Sequence, residues 1–173
     1  MTYYKINHEI ETNDIYISFE HATTLNNLVN GKGTKLDKIN YEGNEPTDFY
    51  SLEGFAISKK AKDVFLSLNL PYLTFIPYTF YSIDSEQPLE IFLMKIENEI
   101  NCIDYEESDL FILGDRIRRI KKLVFDPSFH IKEPCIFYLK GSSKLFINDE
   151  FKKIIIKNNL KGFEFIPVSE YKS

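Results

Sequence analysis

The chain has 173 residues, 43% of them hydrophobic, 15% aromatic and 27% charged, with a formal net charge of -5. This length suits one domain or two small packed halves, and the composition supplies a conventional core and excludes a disordered chain. The acidic balance argues against a general affinity for nucleic acid or an anionic membrane, and it is compatible with a basic protein partner.

The opening residues, Met1-Thr2-Tyr3-Tyr4-Lys5, have no apolar signal core, and no run reaches the roughly 20 apolar residues of a membrane span, so a cytoplasmic location is expected. Tyr3 to Asn7 and Asp14 to Glu20 read as strands; in the second, Ile15, Ile17 and Phe19 alternate with polar neighbours. Thr23-Thr24 predicts the start of a short helix carrying Leu25, Leu28 and Val29 and closed by Gly31. The stretch from Gly31 to Asp48 is rich in Gly and polar residues and predicts a long, mobile surface connection.

Phe49 to Ile57 reads as extended around Gly54, and Ser58 as the N-cap of a helix with Ala61, Val64, Phe65 and Leu68 on one face. Lys59 and Lys60 in its first turn oppose the macrodipole, so packing must hold it. Asn69-Leu70-Pro71 ends the helix and Leu73 to Pro77 continues as a strand. Leu89 to Ile96 is nearly all apolar and predicts a central strand buried on both faces. An acidic stretch follows, then a short strand at Leu110 to Leu113.

Arg116 to Phe125 fits either period: Ile117, Ile120 and Val124 suit a helix, whereas Leu123-Val124-Phe125 suits a strand. Cys135 to Leu139 and Lys144 to Ile147 are strands around a Gly141-Ser142-Ser143 turn. Asn148 caps a second helix with Asp149 and Glu150 in its first turn and Phe151, Ile154 and Ile155 as its stripe. Lys161-Gly162 leads into a final strand, Phe163 to Pro167.

Two of these segments match. Phe75-Ile76-Pro77 recurs as Phe165-Ile166-Pro167, and at the same offset of 90 positions Asn69-Leu70 recurs as Asn159-Leu160, Lys62 as Lys152 and Ile57 as Ile147. The expected fold is therefore α+β, mainly antiparallel sheet with two short amphipathic helices from an internal helix–turn–strand duplication. It is expected as a single domain over 1–173, or as two packed halves of about 1–100 and 101–173.

Little points to catalysis. His8, His21 and His130 have no second His or Cys at ligand spacing, and Cys102 and Cys135 stand far apart, which fits two buried free thiols better than a disulfide or a zinc site. His8 near Glu9 and Glu11 fits a solvated strand edge better than an acid–base pair. No nucleophile elbow, zinc-protease helix or dinucleotide fingerprint occurs, and Gly31-Lys32-Gly33-Thr34 lacks the spacing of a phosphate loop. The expectation is a binding protein, not an enzyme, with no catalytic residue, cofactor or metal.

The chemistry-bearing features are charged. Arg116, Arg118, Arg119, Lys121 and Lys122 hold every arginine of the chain, and fit a solvated face or, alternatively, a nucleic-acid or phospholigand site. The acidic stretch from Glu97 to Asp109 suits a patch that meets a cationic partner and speeds association.

Three blocks of residues resemble a known family. They are Asp48-Phe49 with Ile57-Ser58 and Phe75-Ile76-Pro77; Cys102-Ile103-Asp104 with Leu123-Val124-Phe125-Asp126; and Ile136-Phe137 with Leu145-Phe146-Ile147-Asn148-Asp149 and Leu160-Lys161-Gly162-Phe163-Glu164-Phe165. Together they are similar to the Imm11-type immunity proteins of bacterial polymorphic toxin systems, the DUF1629 family, over roughly Gly31 to Val168. The resemblance implies a cytoplasmic antidote that binds and blocks a cognate toxin effector. Tyr41, Glu42, Glu45, Asp104, Glu106, Glu107 and Asp109 are the expected partner contacts, and the expected partner is a toxin of basic character.

Overall fold

The structure is a computed structural model and describes residues 1–9, 16–18, 38–42, 46–51, 54–82 and 88–173. The helix expected after Thr23-Thr24, the Gly31–Gly33 segment, His21 and Glu45 lie outside the described residues. In chain order the elements begin with strands β1 (Tyr3–His8), β2 (Tyr16–Ser18), β3 (Lys38–Glu42), β4 (Phe49–Ser51) and β5 (Phe55–Ile57). Helix α1 (Lys59–Leu66) and strands β6 (Leu73–Ser82), β7 (Pro88–Ile96), β8 (Glu99–Ile100), β9 (Asp109–Leu113) and β10 (Arg116–Lys122) follow. Strands β11 (Ile136–Leu139) and β12 (Leu145–Asn148), helix α2 (Asp149–Lys157), strand β13 (Phe163–Pro167) and a 3-10 turn at Val168–Glu170 complete the chain.

The fold is α+β, with mostly antiparallel strand pairs among the described residues. The pairs β8–β11 and β3–β6 are parallel. The chain forms two compact units, each discontinuous in sequence: residues 1–7, 96–158 and 164–173 in one, and 8–95 with 159–163 in the other.

In the first unit the sheet runs β13-β1-β12-β11-β8. Tyr3, Cys102, Ile120, Leu123, Cys135, Phe137, Phe146 and Tyr171 form its core. The rings interlock: Tyr3 stacks on Phe129 at 5.0 Å, and Phe146 meets Phe125 edge-on at 5.6 Å and Tyr171 at 5.8 Å. Both cysteines are buried and outside any disulfide, and burial pushes the Cys102 thiol up to about 12, so its reactive thiolate is scarce at neutral pH.

Asn148 ties this unit together. It is fully buried, and its Oδ1 accepts from the Phe151 amide at 3.1 Å, capping α2, and from the Cys135 amide at 3.0 Å. Its Nδ2 donates to the Ile131 carbonyl at 2.9 Å and the Glu133 carbonyl at 2.7 Å. Helix α2 buries Phe151 and Ile155 while Lys153 pairs with Glu150 on the outside.

The second unit holds a six-stranded sheet in the order β2-β3-β6-β7-β5-β4. Strand β3 corrects the expectation of a long, mobile surface connection from Gly31 to Asp48: Lys38–Glu42 pairs antiparallel with β2 and parallel with β6. Strand β7 corrects a second expectation. Its first half is buried on one face only, with Leu89, Ile91 and Leu93 inside, Glu90 exposed and Phe92 half-buried beneath the Lys62 ammonium at 4.2 Å.

Here Asp48 is the tie. Its carboxylate accepts from the Ser58 hydroxyl and, at 2.9 Å, from the Lys161 amide, and it pairs with Lys60 at 3.6 Å. Ser58 in turn caps α1 by accepting from the Ala61 amide at 3.1 Å. Phe163 stacks on Phe49 at 4.5 Å, and Gly162 lies with φ +82° where a Cβ would collide with the Thr47 side chain.

The segments that match in sequence share a local build. Each helix has a polar N-cap, buries the first-turn residue Ala61 or Phe151 and then Phe65 or Ile155, and is followed by an Asn at positive φ, Asn69 at 52° and Asn159 at 48°. Common descent of the two is a separate matter and rests on the sequence match alone.

Candidate functional site

Residues 104–122 form a charged turn and a hairpin in the first unit. Asp104 Oδ1 accepts from the Glu106 and Glu107 amides, both at 3.1 Å, so this carboxylate shapes its own turn. Ser108 clamps the base of the hairpin, accepting from the Val124 amide at 2.9 Å and donating to the Val124 carbonyl at 3.2 Å. Strands β9 and β10 then pair antiparallel around Gly114-Asp115, with Gly114 at φ +65° as the tight loop requires.

The Arg116 to Phe125 ambiguity resolves as a bulged strand over Arg116–Lys122. Ile117 faces Ile112 and Ile120 faces Leu110, but two irregularities in register leave Arg118 and Lys121 as extra residues. Isoleucines three apart would normally point to opposite faces; the first bulge restores them to one face. Leu110, Ile117 and Ile120 consequently pack on the core, with Ile120 only 2% exposed. The opposite face pairs Leu113 with Arg116, Phe111 with Arg119 and Asp109 with Lys122.

That outward face is unusual in composition. Phe111 is 59% exposed and Leu113 61%; Tyr105, in the preceding turn, is well exposed too, as is Ile112 at the edge of the opposite face. The lysines have carboxylate partners: Lys121 pairs with Asp109 at 3.6 Å and Lys122 with Glu107 at 3.4 Å. No ion pair among the described residues engages Arg116, Arg118 or Arg119. Arg116 and Arg118 also line a polar cleft of about 400 Å³ with Glu99, Asp115, Ser142 and Ser143.

The hairpin is fixed to the unit along β10. The Ile117 amide donates to the Gly141 carbonyl at 2.8 Å, and Ile120 exchanges backbone hydrogen bonds of 2.9 and 2.8 Å with Ser173. Gly141 must be glycine, since a Cβ there would stand 2.6 Å from the Asp115 carbonyl oxygen.

The structure therefore brings Asp104, Glu106, Glu107 and Asp109 together beside the basic run, and two of the four are tied to its lysines. Tyr41 and Glu42 fall on β3, in the other unit. His8 ends β1 with its ring 5.6 Å from that of Tyr50. No cluster of three metal-ligating side chains occurs among the described residues. The sequence reading missed Phe111 and Leu113 as surface residues, because a short apolar strand gives no sign of which face is covered.

The model of the immunity protein family Imm11 matches residues 31–170 of this chain. The chain belongs to the Imm11 immunity protein family. No curated protein matches it. Membership gives this Imm11 chain a place in toxin immunity and a toxin as its partner in general terms, and the family is generally non-enzymatic. Among the described residues no helix is long and apolar enough to cross a membrane.

Proposed function

We propose that this Imm11 chain neutralises a cognate polymorphic toxin effector in the cytoplasm by stoichiometric binding, covering the toxin's active site or substrate surface without chemistry of its own. The family match over residues 31–170 carries this reading. A firmly anchored hairpin with exposed Phe111 and Leu113 supports it, because protein interfaces draw on rigid aromatic and aliphatic anchors. Such a complex buries on the order of 1,200–2,000 Å² in total. Tyr41, Glu42, Glu45, Asp104, Glu106, Glu107 and Asp109 belong to this proposal as partner-facing candidates.

Co-expression with the toxin encoded beside this chain tests the proposal. The expected result is restored growth and a complex of one toxin to one Imm11 chain by gel filtration with light scattering. Unrelieved toxicity with no complex would sink it.

A further inference from the structure

Resting on the immunity reading above, we infer that the outward face of the β9–β10 hairpin is the toxin-docking surface. Phe111 and Leu113 are its apolar anchors, Arg116 and Arg119 its charged flank, and it fits a toxin surface whose apolar patch is rimmed by carboxylates.

Single exposed hydrophobes are ordinary on a protein surface, but a cluster is not. Seven large hydrophobes are well exposed among the described residues, and four of them, Tyr105, Phe111, Ile112 and Leu113, fall within one stretch of nine. Ile112 lies on the other face, opposite Ile117, which leaves Phe111 and Leu113 as the apolar pair of the outward one. Phe111 and Leu113 share a face because they are two apart on one strand. Their cross-strand neighbours are Arg119 and Arg116, so each anchor is paired across the hairpin with an arginine.

The sign of the partner follows from which charges are already matched. Residues 104–122 hold five carboxylates and five cations, so the segment has no net charge of its own. Its lysines are taken up by Asp109 and Glu107. Asp104, Glu106 and Asp115 lie in the turns at the two ends of the hairpin, so the outward face itself sets the single carboxylate Asp109 against Arg116, Arg119 and Lys122. The three guanidiniums have no such partner among the described residues. Arginine forms paired hydrogen bonds to a carboxylate and is less strongly hydrated than lysine, which makes it the cation suited to a desolvated contact. The complement is an acidic surface, opposite in sign to the basic partner that the overall charge suggests.

The hairpin can also offer its backbone. Strand β9 has β10 on one side and no strand on the other among the described residues, so its outer edge is open to an extended segment of the partner.

The full chain and the toxin encoded beside it, inactivated for purification, provide the test. Affinities are measured at about 50 and about 300 mM NaCl, a range over which exposed charge pairs are strongly screened. Phe111→Ser with Leu113→Ser is expected to weaken binding about thirtyfold or more, as interface anchors do. Arg116→Glu with Arg119→Glu is expected to weaken it at least as much, and more at the lower salt. Leu66→Ser and Ile156→Ser, which truncate exposed hydrophobes on the two helices, are expected to bind as the unaltered chain does. Thermal unfolding of all variants should stay within about 2 °C, since little buried surface is removed.

If the unaltered chain binds the toxin and both hairpin variants bind equally well, the hairpin inference is overturned and the immunity reading stands. If the unaltered chain does not bind at all, the immunity reading falls and the hairpin assignment with it. Two further outcomes also overturn the assignment. One is a dimer of the free chain that Phe111→Ser abolishes while toxin binding persists, which makes a second copy the occupant. The other is retention of a single-stranded oligonucleotide at about 150 mM salt that Arg119→Glu abolishes while toxin binding persists, which makes a polyanion the ligand.

Discussion

The substitution Asn148→Asp changes one amide nitrogen to oxygen, and the surroundings of that atom determine the outcome. Oδ1 faces two N–H donors, from Phe151 and Cys135, while Nδ2 faces two carbonyls, from Ile131 and Glu133. This pattern fixes the amide orientation, because neither end satisfies its neighbours if turned round. The carboxylate variant keeps the helix cap and gains the favourable end of the α2 dipole, worth about 0.5–1 kcal/mol. Against that, it loses two hydrogen bonds at about 1 kcal/mol each and aims a buried, charged oxygen at two carbonyls deprived of donors, a further cost of roughly 2–3 kcal/mol. The net destabilisation is about 3–4 kcal/mol, or a fall in melting temperature of the order of 10 °C for a chain of this size. Urea unfolding followed by circular dichroism measures it. An Asn148→Asp chain within about 1 kcal/mol of the parent would refute the reasoning, because a capping oxygen alone would then account for the residue.

The remaining predictions concern other ties in the two units. Asp48→Ala removes the acceptor of the Ser58 hydroxyl and of the Lys161 amide and should destabilise by about 2–4 kcal/mol in urea, whereas Asp63→Ala, on an exposed side chain of α1, should fall within about 0.5 kcal/mol. Gly162→Ala puts a Cβ against Thr47 and the Phe49 carbonyl at positive φ, so it should lower stability by about 2 kcal/mol or more, and Thr47→Ala should restore part of that loss in the double variant. Lys5 is 8% exposed, and burial, reinforced by Lys144 and opposed by Glu164, lowers its ammonium from the ordinary 10.5 to about 8. The unfolded chain therefore binds the extra proton between these values, and the burial penalty is full below pH 8 and relieved as pH rises towards 10.5. Lys5→Met should gain up to about 3 kcal/mol at pH 7, shrinking towards zero in urea titrations run near pH 10.5; a pH-independent difference would count against a buried ammonium.

What the sequence made legible is what local physics controls. Both N-caps, Ser58 and Asn148, and the close of α1 before Asn69-Leu70-Pro71 depend on residues a few positions apart, and they stand where the pattern places them. Lys38–Glu42 was missed because its partners β2 and β6 are supplied by distant chain and its own residues include only Ile39 and Tyr41 to mark a face. The period of Ile117, Ile120 and Val124 imitates a helix because a bulge inserts Arg118 between the paired isoleucines, and a bulge leaves no mark in a binary pattern. The role of Asp48 was equally hidden, since one of its partners lies 113 positions away. For the candidate site the charges were visible, but their pairing was not.

That division bears on where specificity resides. The blocks that resemble the family include Asp48, Ser58, Asn148 and Gly162, and each of these is engaged in holding backbone in place. A residue committed in this way cannot vary to suit a new partner without weakening the fold. Phe111, Leu113 and the three arginines carry no such duty: their side chains face away from the core, on a hairpin secured by Ile120, Ser108 and Gly141. Substitution there changes the surface offered and leaves the scaffold that offers it. Under the proposed function, neutralising one cognate toxin needs that separation, because discrimination comes from altering contacts while stability is held constant. On this reasoning the hairpin, and not the helix–turn–strand segments that carry the family pattern, is where chains of this family should differ when their toxins differ.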